Sequence, residues 1–199
     1  PAAVKAFYDL MRSGTMATTA AANPDEWADH MKPALEAGRD VLVITFSSGM
    51  STTYQSAVIA AKDLQEEYPQ RTILVVDSLC AALGQGLLIW YACRKRDEGM
   101  SLEELTAWVE ENKLSCHAWF FSTDLTFYVK GGRISKASGW FGTMLHICPL
   151  LNMNFDGKLI PRQKLRGKNK AIREIVAQME AHAQDGLDYS GKCYISHSA

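Results

Sequence analysis

The chain has 199 residues, 47% hydrophobic and 22% charged, with 21 Lys and Arg set against 22 Asp and Glu. That length suits one large domain or two small ones with an ample core, and substantial hydrophobicity with a net charge of -1 excludes a disordered tract. The same balance excludes coating of nucleic acid through bulk positive charge, and no apolar run approaches a membrane-spanning helix in length.

No basic-then-apolar signal layout opens the chain, which starts at Pro1. It stops at Ser198-Ala199 just after a strand-like run, so both ends are expected to be cut. Five cysteines (Cys80, Cys93, Cys116, Cys148, Cys193) are widely spaced without a C-x-x-C pair, which fits neither a disulfide framework nor a zinc site. Each lies in an apolar stretch, and the expectation is small core hydrophobes in a reducing, cytoplasmic compartment.

In chain order, Val4, Phe7, Leu10 and Met11 predict a helix over 2–13 with Gly14 at its end. Asn23 as N-cap, Pro24, Asp25 and Glu26 open a second helix that Gly38 closes. Residues 40–46 form a near-continuous apolar run, the pattern of a strand buried on both faces in a parallel sheet. A helix over 51–68, a strand over 72–78, a helix over 81–98 and the Ser101–Glu104 capping box of another helix follow. This alternation predicts an α/β lobe with a parallel sheet, 1–115.

After about residue 115 the pattern changes. His117–Phe121 reads as a strand and 135–146 as a short helix, and Asp156-Gly157 joins two strands, 147–155 and 158–165, in a hairpin. Pro161 cannot donate to a ladder, so its strand is expected at an edge or with a bulge. An amphipathic helix over 168–185 (Ile172, Ile175, Val176, Met179) and a strand over 192–196 complete a second α/β lobe, 116–199, with a mixed or antiparallel sheet.

Ligands of open α/β sheets bind at the carboxyl ends of strands, where helix N-termini point. Two such ends stand out: Ser47-Ser48-Gly49-Met50-Ser51-Thr52-Thr53 and Asp77-Ser78. Hydroxyls, free N–H groups and a helix dipole suit an anion. The loop has no lysine and no G-x-x-x-x-G-K-[ST], so a small singly charged group such as a carboxylate fits better than a triphosphate. A hydroxyl-capped helix start without a ligand is the alternative. Gly84 and Gly86 read as close helix packing, and Arg133, in Lys130-Gly131-Gly132-Arg133-Ile134-Ser135, as a carboxylate partner or a helix cap. No G-x-S-x-G elbow surrounds the serines. The histidines have no metal-ligand spacing; His30 and His182 read as solvated, His117 and His197 as strand residues. The basic run Arg162, Lys164, Arg166, Lys168, Lys170, Arg173 is either a solvated face or a surface for an acidic partner or an anionic membrane.

Taken together these motifs resemble the DegV family of bacterial fatty-acid-binding proteins. Ser47 to Ala57 resembles the family's S-S-G-L-S-G-T-Y-x-x-A, Val76-Asp77-Ser78 its V-D-S, and Lys130 to Ser135 its K-G-G-R-I-S. Pro149-Leu150-Leu151, Asp156-Gly157-Lys158 and Arg166-Gly167-Lys168 fall in the family's order, and Thr19 to Pro24 sits where it has T-S-Q-P-S-P. The resemblance implies a two-lobed α/β protein that holds one long-chain fatty acid, such as palmitate, between its lobes. It implies that Thr19, Ser51 and the Thr52 N–H hold the carboxylate, with Ser48, Gly49, Asp77, Ser78 and Arg133 lining the site. Trp140, Phe141, Met144 and Leu145 are candidate tunnel residues or simple core. The implied protein is not an enzyme: a separate fatty-acid kinase subunit phosphorylates the bound acid for phospholipid synthesis.

Arg162, Lys164, Arg166 and Lys168 are then the expected partner surface, with transient membrane contact as a further expectation. No metal, cofactor or nucleic acid is expected, and the chain is expected to be monomeric. Ala20, Ala21 and Ala22, Thr52 and Cys148 depart from the family pattern, and the opening D-S-T/S strand and the H-T-G-P-G segment with its histidine are absent. The alternatives are an enzyme of the related dihydroxyacetone-kinase fold, an acyl hydrolase using Ser51, and a regulatory module that docks through the basic run.

Overall fold

A computed structural model describes residues 2–135 and 147–197. The first lobe starts with two helices, α1 (Ala2–Arg12) and α2 (Pro24–Glu36). At α2 the local signals act as expected: Asn23 Oδ1 accepts from the Glu26 N–H and the Glu26 carboxylate accepts from the Asn23 N–H, a reciprocal cap. The apolar face of α1 is open to solvent, with Val4 59%, Phe7 47% and Leu10 54% exposed.

Strands β1 (Val41–Thr45) and β2 (Ile73–Asp77) pair in parallel through the crossover helix α3 (Thr53–Glu67). Alternation along each strand sends neighbouring side chains to opposite faces. Val41, Val43, Ile73 and Val75 pack against Met31 and Leu35 of α2 and the alanine stripe Ala57, Ala60, Ala61 of α3. Leu42, Ile44 and Val76 pack the other way, against α4 (Ala82–Asp97) and α5 (Leu102–Asn112) through Leu88, Ala92, Leu105 and Val109. Both faces being covered is why the strands read as continuous apolar runs.

A 3-10 turn, Lys113–Ser115, leads to the second lobe. Its sheet is antiparallel, in the order β3 (Trp119–Phe121), β4 (Ile147–Met153), β5 (Leu159–Arg166). One face, with Cys148, Leu150 and Leu165, packs on Ala171 and Ile175 of α7 (Lys168–His182). The other, with Phe120, Leu151 and Leu159, covers Leu125, Val129 and Ile134 in and after α6 (Thr126–Lys130). Pro161 has both expected features: β5 is an edge strand, and its pairing slips between Leu150 and Leu151, leaving Arg162 without a cross-strand partner.

Several expectations change. Residues 192–197 form no strand, and Ile195 is 90% exposed; a strand is stabilised by a neighbour's ladder, and among the described residues no strand pairs with this segment. His197 is therefore not a strand residue, and His117 precedes β3, which starts at Trp119. Helix α7 turns Ala171 and Ile175 to the sheet and leaves Ile172, Val176 and Met179 on the solvent side. Cys80 and Cys148 are buried, but Cys93 and Cys193 are exposed and are not core residues. The expected helix over 135–146, with Trp140, Phe141, Met144 and Leu145, falls on residues 136–146, outside the described residues.

Candidate functional site

The loop between β1 and α3 is built by its own hydroxyls and by the end of β2. Ser47 is fully buried: its N–H donates to the Cys80 carbonyl (3.0 Å), its Oγ donates to the Gly157 carbonyl (2.7 Å) and accepts from the Gly49 N–H (3.1 Å). Asp77, at the end of β2, accepts from the Ser48 N–H (3.2 Å) and the Leu79 N–H (3.0 Å), tying the two strand-end loops together. Buried Ser78 exchanges hydrogen bonds with the backbone of Cys80. Ser48, Gly49, Asp77 and Ser78 are thus the scaffold of the loop.

Past this scaffold lies the start of α3. The half-buried Ser51 Oγ is 2.7 Å from Thr53 Oγ1 and accepts from the Thr53 N–H at 3.2 Å. Thr52 is the N-cap residue without a side-chain capping bond, and no acid occupies the first turn. The N–H groups of Thr52, Tyr54 and Gln55 meet no acceptor among the described residues. Helix starts leave such donors unsatisfied and carry partial positive charge. A carboxylate accepting from these groups and from Ser51 and Thr53 would complete the cap. Among the described residues the side-chain partner of the Ser51 hydroxyl is Thr53 Oγ1.

Thr19 lies in the irregular, exposed stretch between α1 and α2, where no hydrogen bond among the described residues holds its side chain. The same stretch reaches the second lobe at Met16, whose sulfur is 3.3 Å from Lys130 Nζ. Arg133 is exposed and donates to the carbonyl of Gly131, the residue that follows α6. A Cβ on Gly84 would collide with Cys80 Sγ and touch Ala118, which bears out close packing there, whereas Gly86 has room.

Two clefts lie elsewhere. One of about 480 Å³ follows α3 and β2 past Tyr54, Val58 and Lys62; the other, about 470 Å³, includes His117, Trp119, Arg162 and His182. The His117 ring lies tilted against that of His182 (5.2 Å between centres), which also lies against Trp119 (5.6 Å), so His182 is engaged although exposed. Partial shielding from water, and secondarily His182, hold the His117 imidazolium below its ordinary range. Arg162 Nε donates to Asn152 Oδ1 at 2.8 Å in the same cleft. Among the described residues no group of three His, Cys, Asp or Glu is placed to hold a metal, and no helix is long and apolar enough to cross a membrane.

These features define a class: a two-lobed α/β protein, parallel sheet in one lobe and antiparallel in the other, with an acid-free helix start beside the contact between them. Residues 2–198 match the family described as "Uncharacterised protein, DegV family", and the chain belongs to that family. It is 38% identical over 196 residues to a DegV domain-containing protein of Clostridium perfringens, covering 98% of this chain and 66% of that one. A Thermus thermophilus structure described as fatty acid binding of a DegV family protein is 33% identical with a TM-score of 0.79, covering 91% of this chain and 63% of its own. A DegV lipid binding protein from Thermotoga maritima is 29% identical, also with a TM-score of 0.79, covering 92% and 62%. The chain spans less than two thirds of the length of these relatives.

Proposed function

We propose that this chain binds a long-chain fatty acid such as palmitate between its lobes, 1–115 and 116–199, and presents the carboxyl group to a separate fatty-acid kinase subunit. The observation that carries the reading is the start of α3: the Ser51 hydroxyl and the N–H groups of Thr52, Tyr54 and Gln55, which meet no acceptor among the described residues, with no acid in the first turn. Membership of a family with fatty-acid- and lipid-binding structures identifies the kind of anion. Thr19, in the stretch anchored to the second lobe at Met16, supplies the second hydroxyl once it turns inward on the ligand. The role is that of a cytoplasmic carrier, not a catalyst.

The energetics divide the work. Burial of a methylene contributes about 0.8 kcal/mol, so a sixteen-carbon tail offers roughly 11 kcal/mol at most. Each charge-assisted bond to the carboxylate contributes about 1.5–3 kcal/mol before desolvation. The tail sets affinity and the head group sets orientation. Native mass spectrometry of the gently purified chain is expected to show a long-chain acid, and Ser51→Ala with Thr19→Ala to weaken palmitate binding by tenfold or more, on the order of two lost hydrogen bonds. A chain that carries no lipid and takes up no palmitate would sink the reading.

A further inference from the structure

The head-group loop is not held by its own lobe alone. The tip of the β4–β5 hairpin, built by Asn154 through its bonds to the Gly157 and Lys158 N–H groups, rests on the loop that leads to Ser51. A Cβ on Gly49 would run into the Asp156 and Gly157 carbonyls, and a Cβ on Gly157 into Ser47 Oγ and, at 3.1 Å, Leu79 Cα. The side chains that meet the tip are Leu79, whose Cδ2 is 3.2 Å from the Cβ position of Gly157, and Ser47, whose hydroxyl spans a sequence separation of 110 to the Gly157 carbonyl while accepting the Gly49 N–H. Ser47 is fully buried, so without its hydroxyl the buried Gly157 carbonyl and the half-buried Gly49 N–H lose a partner.

We propose that Ser47, Gly49 and Gly157 form a latch through which the second lobe positions the carboxylate-binding loop, making Ser47 and Gly157 positioning residues for head-group recognition. The inference rests on the fatty-acid reading and adds that selectivity for a free carboxylate over a neutral head group is set across the lobes. Two sets of ties orient the loop: Asp77 on the Ser48 N–H and the Cys80 carbonyl on the Ser47 N–H from within the first lobe, and Gly157 on the Ser47 hydroxyl from the second. With the second released, the loop keeps its strand and helix attachments but loses the register that aims Ser51 and the first N–H groups of α3 at one point. Preorganised donors lose selectivity when their support loosens.

The test compares palmitate with methyl palmitate, which has the same tail and no charge, by calorimetry on the whole chain. Ser47→Ala is expected to weaken palmitate about tenfold and the ester far less, narrowing the acid-to-ester ratio. Gly157→Ala, which pushes a Cβ into Ser47, is expected to narrow it as well. Gly38→Ala is the control for backbone strain: Gly38 has nearly the same positive φ as Gly157 (72° against 68°) but nothing within 4 Å of its Cβ position. It should lower the melting temperature and leave the ratio alone. If Ser47→Ala and Gly157→Ala lower the melting temperature but keep the wild-type ratio, the latch is merely structural and the proposal is overturned. Should Gly157→Ala not fold, Ser47→Ala, which only removes an atom, decides by itself. If the unaltered chain does not prefer palmitate to its ester, the fatty-acid reading fails and the latch's role fails with it.

Discussion

Ser47 and Ser51 belong to one loop and do opposite work. The Ser47 hydroxyl is consumed inside the protein by Gly157 and Gly49, whereas Ser51 stands at the open start of α3. Both are serines between a buried strand and a helix, and that much is legible in sequence. Which is scaffold and which is available depends on a carbonyl 110 residues away, a relation no local pattern carries. The cysteines divide in the same manner. Burial, with Cys80 nearby, pushes the Cys116 thiol up to about 11 and burial raises Cys80 as well, while Cys93 and Cys193 are exposed. The thiolate is the reactive form. Iodoacetamide at pH 8 followed by peptide mapping is therefore expected to modify Cys93 and Cys193 first, and Cys80, Cys116 and Cys148 only with denaturant; early labelling of Cys116 would contradict the burial described for it.

At the scale of elements, the signals that worked are the short-range ones. Asn23 with Glu26 and Ser101 with Glu104 close reciprocal caps whose partners are three residues apart, so the sequence contains the whole interaction. Asn23→Ala and Ser101→Ala are each expected to cost about 1 kcal/mol of stability, read by urea unfolding, while ligand selectivity stays unchanged. Pro161 is a similar case, because its missing N–H disfavours a regular ladder position, and it falls in an edge strand beside a bulge. Residues 192–196 show the limit. Their alternation is strand-like, but a strand needs a partner edge, and here the stretch instead passes α4, with the Lys192 ammonium 4.9 Å from the Trp90 ring and its N–H donating to the Tyr91 hydroxyl.

For the whole molecule, charge and lobe arrangement decide how it meets a partner. Net charge is -1, yet Arg162, Lys164, Arg166, Lys168, Lys170 and Arg173 are all exposed along β5 and the start of α7. Arg162 is held by Asn152, while Arg166, Lys168, Lys170 and Arg173 make no ion pair among the described residues. Lys168 and Lys170 also sit in the first turn of a helix, where cations oppose the dipole, so this surface suits an acidic partner. If the proposed kinase subunit docks on this surface, Arg166→Glu with Lys168→Glu is expected to abolish that docking, measured by surface plasmon resonance at low salt, and to spare palmitate binding. Unchanged docking would place the interface elsewhere.

The sequence by itself determined the α/β alternation, the parallel pairing implied by doubly apolar strands, the capped helices, the hairpin and the order of motifs that marks the family. Each of these depends on neighbours within a turn of helix or a step of strand, or on residue types in linear order. Only the tertiary structure decided that Asp77 and Ser78 bond the backbone of the strand-end loops, that Arg133 bonds the Gly131 carbonyl, that the stripe Ile172, Val176, Met179 faces water, and that a hairpin tip of one lobe rests on a strand-end loop of the other. These outcomes depend on which buried polar groups meet across distant parts of the chain. A buried hydroxyl or carbonyl must find a partner, and the sequence names the groups without naming the pairs.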